Sequence, residues 1–182
     1  GALDSLNFYS RNISSLHTFT YRDMGSTRIR STFRKAWSAK QRSSITAYYR
    51  NAQIAQLPYW RVRTKRSNRS EATGEINQDE FWSLGLIAQH EIFVSQLGSR
   101  LIFGASFDNS PASYWAEYID VQKDSDGRFA SYNDNDSLLT NYDVQIRNAA
   151  VFSRFEILPI EKLRVTTSVR LDHLQYDYSN HL

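Results

Sequence analysis

The sequence predicts an all-β protein: an antiparallel sheet of about six long strands, curved as a sector of a transmembrane β-barrel. Three observations predict it. Apolar residues recur with a period of two in most windows, and no window carries a capped i, i+3, i+4, i+7 apolar stripe. Only 3 Pro and 7 Gly interrupt 182 residues, so the elements are long. Short and long connections alternate strictly, which sends every long one out of the same end of the sheet, as in outer-membrane barrels.

Composition narrows the class further. One domain, or a piece of one, fits the length. The 11 Tyr, 10 Phe and 4 Trp are too many for a disordered chain. The absence of Cys excludes a disulfide scaffold, a thiolate nucleophile and a Cys-ligated zinc site. No apolar run is long enough for a membrane-spanning helix, which leaves alternating membrane strands open. The net charge is +3, carried by 17 Arg and 5 Lys against 19 acids. Arg suits bidentate, stacked or half-buried roles better than Lys does. The chain begins Gly1-Ala2-Leu3-Asp4 without Met and ends in the β-like run Tyr176-Asp177-Tyr178. With no signal-peptide pattern at its start, it reads as an internal segment of a longer protein.

The elements follow in order. Residues 1–22 are polar and aromatic without a period and read as a loop. From Thr27, Ile29, Phe33 and Trp37 share one face and Arg28, Arg30 and Arg34 the other. Residues 38–42 make a short turn. Ile45, Ala47 and Tyr49 then oppose Thr46, Tyr48 and Arg50, up to Leu57-Pro58. A long polar loop is expected over 58–80. Trp82, Leu84, Leu86, Ala88, His90, Ile92 and Val94 form the next apolar row, followed by a turn at Ser95-Gln96-Leu97-Gly98-Ser99. Leu101, Phe103, Ala105 and Phe107 continue it. A second long loop is expected over 109–138, with a turn at Asp126-Gly127. The fifth strand, about 141–157, changes phase between Val144/Ile146 and Ala149/Val151, for which a bulge near Asn148 is expected. After a tight turn at 158–162, Leu163, Val165, Thr167, Val169 and Leu171 alternate with Arg164, Arg170 and Asp172. Trp37, Tyr49, Trp60 and Trp82 sit near strand ends, where an aromatic girdle belongs.

Several stretches resemble a known family. They are Tyr21-Arg22-Asp23-Met24 through Arg28–Trp37, then Tyr48-Tyr49-Arg50-Asn51, then Gly74-Glu75-Ile76-Asn77. The strongest is Ala150-Val151-Phe152-Ser153-Arg154-Phe155-Glu156, running through Leu158-Pro159-Ile160-Glu161-Lys162-Leu163 to Ser168-Val169-Arg170-Leu171-Asp172. Together they resemble the barrel of TonB-dependent outer-membrane receptors of the Bacteroidetes type, including the P-x-E-K-L periplasmic turn. Ser168 stands where the family usually has Gly. The resemblance covers nearly all of residues 1–182 and implies a barrel of about 22 strands around a plug. It implies energy-coupled uptake of a scarce nutrient, most readily an iron complex of the siderophore type, in the outer membrane of a Gram-negative bacterium. The implied partners are outer-membrane lipid, the receptor's own plug, the TonB energy-coupling protein and a small-molecule cargo. Plug and TonB contacts belong to regions outside this chain. A passive porin-like barrel or a soluble β-rich binding module are the alternatives.

Candidate site residues follow from this layout. Arg28, Arg30, Arg34, Arg50, Arg170 and Asp172 are expected to face the lumen, either meeting anionic cargo or plug, or pairing with carboxylates on neighbouring strands. In the loops, Tyr59, Trp60, Arg61, Arg63, Tyr114, Trp115 and Tyr118 are candidates for cargo contact. The basic run Arg61, Arg63, Lys65, Arg66, Arg69 also suits lipopolysaccharide phosphates or a solvated loop, whereas a nucleic-acid site is not expected from one loop alone. The acids Asp120, Asp124, Asp126, Asp134 and Asp136 lack the closing Glu of an EF-hand and fit turn chemistry. His17, His90, His173 and His181 have no metal-binding spacing, and His90 and Glu91 point to opposite faces. No catalytic set, metal site or cofactor is expected.

Overall fold

The computed structural model describes Tyr9 and residues 19–94, 98–160 and 162–182. Seven strands make a single antiparallel sheet: β1 Tyr21–Ser38, β2 Gln41–Leu57, β3 Arg63–Thr64, β4 Glu71–Val94, β5 Ser99–Lys123, β6 Phe129–Ile160 and β7 Leu163–Asn180. The order is β1-β2-β4-β5-β6-β7, a simple meander, with the two-residue β3 paired to the far end of β4. The sheet is open, with β1 and β7 as its edges. Among the described residues no helix is long and apolar enough to cross a membrane.

The short turns stand where the alternation breaks, as at Ala39-Lys40 between β1 and β2. Gly98 opens β5 with φ of 52°, a backbone that glycine adopts freely. The expected loop over most of residues 1–22, the turn residues Ser95-Gln96-Leu97 and Glu161 of the last turn lie outside the described residues, as does His17.

Three expectations are corrected. The long loops over 58–80 and 109–138 are mostly strand. β4 already begins at Glu71; β5 runs to Lys123 and β6 resumes at Phe129, leaving only 124–128 as the turn. Polar residues extend a ladder as well as apolar ones once both backbones are paired. This extension also has a core of its own: Leu57, Val62, Ala72, Ile119 and Val121 are buried together, with Phe19, Ile76, Phe129 and Tyr132 against them. The bulge near Asn148 is absent. β6 pairs without a shift from Tyr142↔Asn180 to Ile157↔Val165, so Val144 and Ile146 point to the polar face. The irregularities fall higher, at Ala116/Glu117 and Glu117/Ile119. There Asp136 takes φ of 54° and the Asn135 side chain accepts the Ser137 N–H. β1 also starts at Tyr21, earlier than Thr27.

Register gives the sheet two chemically distinct faces. One lateral row reads Phe33, Ile45, Ala88, Ala105, Val151, Leu171 across six strands. The next row reads Thr32, Thr46, Ile87, Ser106, Ala150, Asp172 and points the other way. The first face is apolar and uncovered: Phe33 is 66% exposed, Leu84 55%, Val151 56% and Leu171 66%. The polar face curves around a trough of about 1150 Å³ lined from β2, β4, β5, β6 and β7.

Two glycines let large rings lie flat on the polar face. A Cβ at Gly85 would stand 2.1 Å from Tyr48 Cζ, because the Tyr48 ring crosses β4 there to donate its hydroxyl to Asp108 on β5, at 2.5 Å. A Cβ at Gly104 would meet the Ala88 carbonyl oxygen at 2.3 Å and the Phe152 ring at 2.7 Å. In detergent micelles, Gly85→Ala is expected to cost about 1–2 kcal/mol in urea unfolding, since the displaced ring loses its hydrogen bond. In a Tyr48→Ala background the same change should cost under about 0.5 kcal/mol, and equal costs in both backgrounds would refute the packing relation.

Candidate functional site on the polar face

Polar side chains on the curved face join in three lateral networks, because antiparallel register brings residues far apart in sequence to the same height. Nearest the short turns, Glu91 on β4 accepts from Arg42 Nε on β2 and Arg100 Nε on β5. Arg100 also faces Glu156 on β6 at 3.7 Å, and Arg154 bonds Glu156. Glu91 and Glu156 are buried, yet each is held by two guanidinium groups, so neither is an uncompensated buried charge. Phe93 lies between the cations, 5.3 Å from the Arg42 guanidinium and 5.6 Å from that of Arg100.

The middle network lines the trough. Asp108 accepts from Tyr48 and from Ser110, and Arg50 reaches it at 3.6 Å while donating to Ser83. Arg170 binds Asp172 in a fork, at 2.8–3.0 Å, and reaches Ser106 two strands away at 3.3 Å. Asn148 donates to Asp172 at 3.3 Å, and its Oδ1 is buried without a partner.

The upper network is a directed chain. Arg22 Nε donates to Gln56, Gln56 Nε2 to Asn77 and Asn77 Nδ2 to Glu75, at 2.8, 2.9 and 3.0 Å. Glu75 then faces Arg61 at 3.6 Å. A cation therefore closes each end, and the buried Glu75 keeps a countercharge.

The expected site residues fall into this frame. Arg28, Arg30, Arg34, Arg50, Arg170 and Asp172 all point to the polar face. Arg50, Arg170 and Asp172 are paired there. Tyr59 and Trp60 form a 3-10 turn, Tyr59–Arg61, in edge-to-face contact at 5.3 Å, and the Arg22 guanidinium stands 5.5 Å from the Trp60 ring. Arg63 pairs with Thr73 in β3. Tyr114 stacks on Tyr142 at 5.5 Å, and Tyr142 meets Tyr178 at 5.4 Å, making an aromatic ladder across β5, β6 and β7. Tyr118 lies opposite Glu75. Trp115 does not join them: it alternates with Tyr114 and points to the other face.

Two of the five bases in the β2–β4 connection are engaged by acids, Arg61 with Glu75 and Lys65 with Glu71 and Asp120. Lys65 donates to Glu71 and Asp120 at 3.1 and 3.0 Å, which raises its pKa. Arg66 and Arg69 stay exposed beside Lys123 at the far end of β4 and β5. Ten residues of β4 lie between Glu71 and Trp82, too many for the basic tip to sit at the level where the apolar band ends. Asp124 Oδ1 accepts the backbone N–H groups of Asp126 and Arg128, which is turn chemistry. Among the described residues no group of three or more acids and histidines is placed to hold a metal ion. His90 bonds Ser43 on the apolar face and Glu91 belongs to the polar network, so the two do point apart.

No protein-family model matches the chain, and no curated protein matches it. The protein is a meandering antiparallel β-sheet with one polar, internally bonded face and one largely apolar face that is uncovered below Trp82 and packed into a cluster above it.

Two outcomes test the electrostatics. Glu91→Gln leaves Arg42 and Arg100 facing a neutral group and should cost about 1–3 kcal/mol, whereas Arg147→Gln, which breaks the exposed pair with Asp177, should cost under about 1 kcal/mol. Comparable costs in urea unfolding would contradict the networks' role. In the extension, burial first and then Asp134 and Asp136 push the Glu117 carboxyl above its ordinary range. A raised carboxyl contributes stability below its unfolded value that is lost as pH rises through the folded one. Glu117→Gln should therefore slow exchange of the Val121 amide at pH 7 and leave it unchanged near pH 4. Equal effects at both pH values would rule that coupling out.

Proposed function

We propose that this chain is a sector of the wall of a large outer-membrane β-barrel of the TonB-dependent receptor class, which takes up a scarce nutrient such as a siderophore-type iron complex. The observation that carries the membrane reading is a contrast along one face of the sheet. In the extension, apolar residues on that face bury one another: Leu57 and Ile119 are fully covered. From Trp82 to Ile92 on β4, and at matching heights on the other strands, the same face exposes large apolar side chains, among them Phe33, Leu84, Leu86, Phe107, Val151 and Leu171, interrupted by polar positions such as Asn109, Arg147 and His173. Covered apolar groups suit water, and an uncovered band suits hydrocarbon. Its height of about 9–11 residues is what a tilted strand needs to cross a bilayer.

Aromatic rings flank the band. Trp37 sits at its short-turn end, while Trp82 and Tyr49 sit at its upper end, as interfacial residues do. The opposite face, with its bonded Arg, Asp, Glu, Ser and Thr, suits a water-filled or plugged interior. The resemblance of residues 149–182 to the family's strand–turn–strand supports the receptor class. β6 ends at Ile160 and β7 begins at Leu163 at the end of the sheet opposite the extended hairpins, the end this reading assigns to periplasmic turns.

In this reading the extensions stand outside the cell. Tyr59, Trp60, Arg61, Arg63, Tyr114 and Tyr118 offer aromatic and cationic contacts to an incoming complex, and Trp115 takes no part. The bonded networks stiffen the wall while cargo passes. Plug displacement and energy coupling belong to regions outside this chain.

The band itself is tested by charge placement. Leu86→Arg, at mid-height on the apolar face, should cost about 2–4 kcal/mol for the protein folded in lipid vesicles, while Leu174→Arg, exposed on the polar face opposite Asn148, should cost little. Equal costs would refute the lipid-facing assignment. The receptor class is tested with the whole protein containing this segment. Uptake of a labelled ferric chelate should stop when the proton gradient is collapsed. Free passage of small ions without that gradient would instead identify a passive pore.

A further inference from the structure

Between the middle and upper networks the polar face is mostly apolar. Register sets two lateral rows there across β2, β4, β5 and β6: Ala52, Phe81, Ala112, Val144, and above it Ile54, Asp79, Tyr114, Tyr142. Asp79 is the one charged residue among these eight positions. It is exposed and, among the described residues, has no hydrogen bond or ion pair. Arg61 above it and Arg50 below it are turned to Glu75 and Asp108, at 3.6 Å each. β4 lies inside the sheet, between β2 and β5, so no further strand reaches Asp79 from the side. Two rings flank the carboxylate. Tyr114 is directly opposite on β5, where facing side chains start about 5 Å apart, and Tyr142 backs it at 5.5 Å. Phe81 follows two residues along the same face of β4, about 7 Å away. Its ring already takes one cation, the Arg50 guanidinium at 5.8 Å, which leaves Tyr114 as the ring beside Asp79. Asp79, Phe81 and Ala112 all line the trough.

We infer that the upper end of the trough is a binding site for an organic ammonium ion with an apolar or aromatic body. The ammonium lies against the Asp79 carboxylate and the Tyr114 ring, and the body rests on Phe81, Ala112 and Val144. Charge selects a cation, because the carboxylate is uncompensated and the face of an aromatic ring attracts the same sign. The surroundings select an organic cation over a metal ion. A hard cation needs several oxygen ligands, neither row offers a second carboxylate, and among the described residues no group of acids and histidines is placed to hold a metal. Apolar neighbours instead bury a hydrocarbon body, which gains affinity from the area removed from water. The inference goes beyond the receptor reading. It stands on the placement of β4, β5 and β6 and holds for a receptor and a passive pore alike.

The experiment uses the whole protein containing this segment, in lipid nanodiscs without any gradient, and three probes of similar size: benzyltrimethylammonium, N-benzylacetamide and phenylacetate. Binding is read by ligand-observed NMR titration. Benzyltrimethylammonium should bind at least about fivefold tighter than either of the others. Asp79→Asn should reduce its preference over N-benzylacetamide to under about twofold while leaving N-benzylacetamide binding unchanged, which also shows that the variant is folded. Tyr114→Leu should weaken the cation at least about threefold. Placement is read separately by thiol labelling, since this segment has no Cys of its own and any Cys elsewhere is replaced by Ser. Benzyltrimethylammonium should slow the reaction of Ala112→Cys with a water-soluble maleimide, and should not slow that of Ser106→Cys, lower on the same face of β5. Equal binding of the three probes, a cation preference that survives Asp79→Asn, no loss with Tyr114→Leu, or equal protection of the two cysteines would overturn the inference. So would tightest binding of phenylacetate, which would assign the trough to an anion held by Arg50 and Arg170. No uptake is involved, so failure here leaves the receptor class standing, and failure of gradient-dependent uptake leaves this site standing.

Discussion

Everything in this chain depends on a single constraint: side chains along a strand alternate with a period of two, and six antiparallel registers keep that alternation in phase. A slip of one residue at any pairing would turn a row such as Phe33, Ile45, Ala88, Ala105, Val151, Leu171 onto the polar side. The polar face resists such a slip. Glu91 meets Arg42 and Arg100 only in the observed register, and Tyr48 reaches Asp108 only because Gly85 stands between them. Specific bonds on one face thus hold the apolar band together on the other.

That division of labour explains why the apolar face needs no interlocked core over most of its height. Its residues are placed by their partners' backbones and by the polar networks behind them. Only in the extension, above Trp82, do side chains on that face pack into a covered cluster of their own. The change from uncovered to covered occurs within single strands, β4 and β5, which pass from one environment to the other. Hairpins of this length on so narrow a base need such a cluster, since a two-stranded ribbon without it is marginal in water.

Much of this was legible in the sequence. The period-two rows at Ile29/Phe33/Trp37, Ile45/Ala47/Tyr49, Trp82 through Val94, Leu101 through Phe107 and Leu163 through Leu171 locate β1, β2, β4, β5 and β7 and assign Arg28, Arg30, Arg34, Arg50, Arg170 and Asp172 to the polar side. Alternation alone also separates Trp115 from Tyr114 and Tyr118, although grouping them by proximity in sequence hid it. In sequence the hairpin extensions read as loops because Leu57, Val62, Ala72, Ile119 and Val121 are too dispersed to show a period, and only tertiary pairing collects them. The phase change at Val144/Ile146 reads as a bulge if all apolar residues share one side; β6 instead turns both to the polar face, where Ile146 lines the trough. Tyr48 with Asp108, and Glu91 with Arg42 and Arg100, join residues 60, 49 and 9 positions apart. Such pairs require the register, which one sequence does not supply.

The most direct measurement is a cysteine scan of β5 from Leu101 to Asp108, omitting Gly104, with the protein folded in lipid vesicles and treated with a water-soluble maleimide. The chain has no Cys of its own, so each label reports one position. Ile102, Ser106 and Asp108 should label, Ile102 included although it is apolar, while Leu101, Phe103, Ala105 and Phe107 should stay protected. Labelling of Phe103, Ala105 and Phe107 as fast as their neighbours would mean that both faces meet water, and the membrane reading would fall.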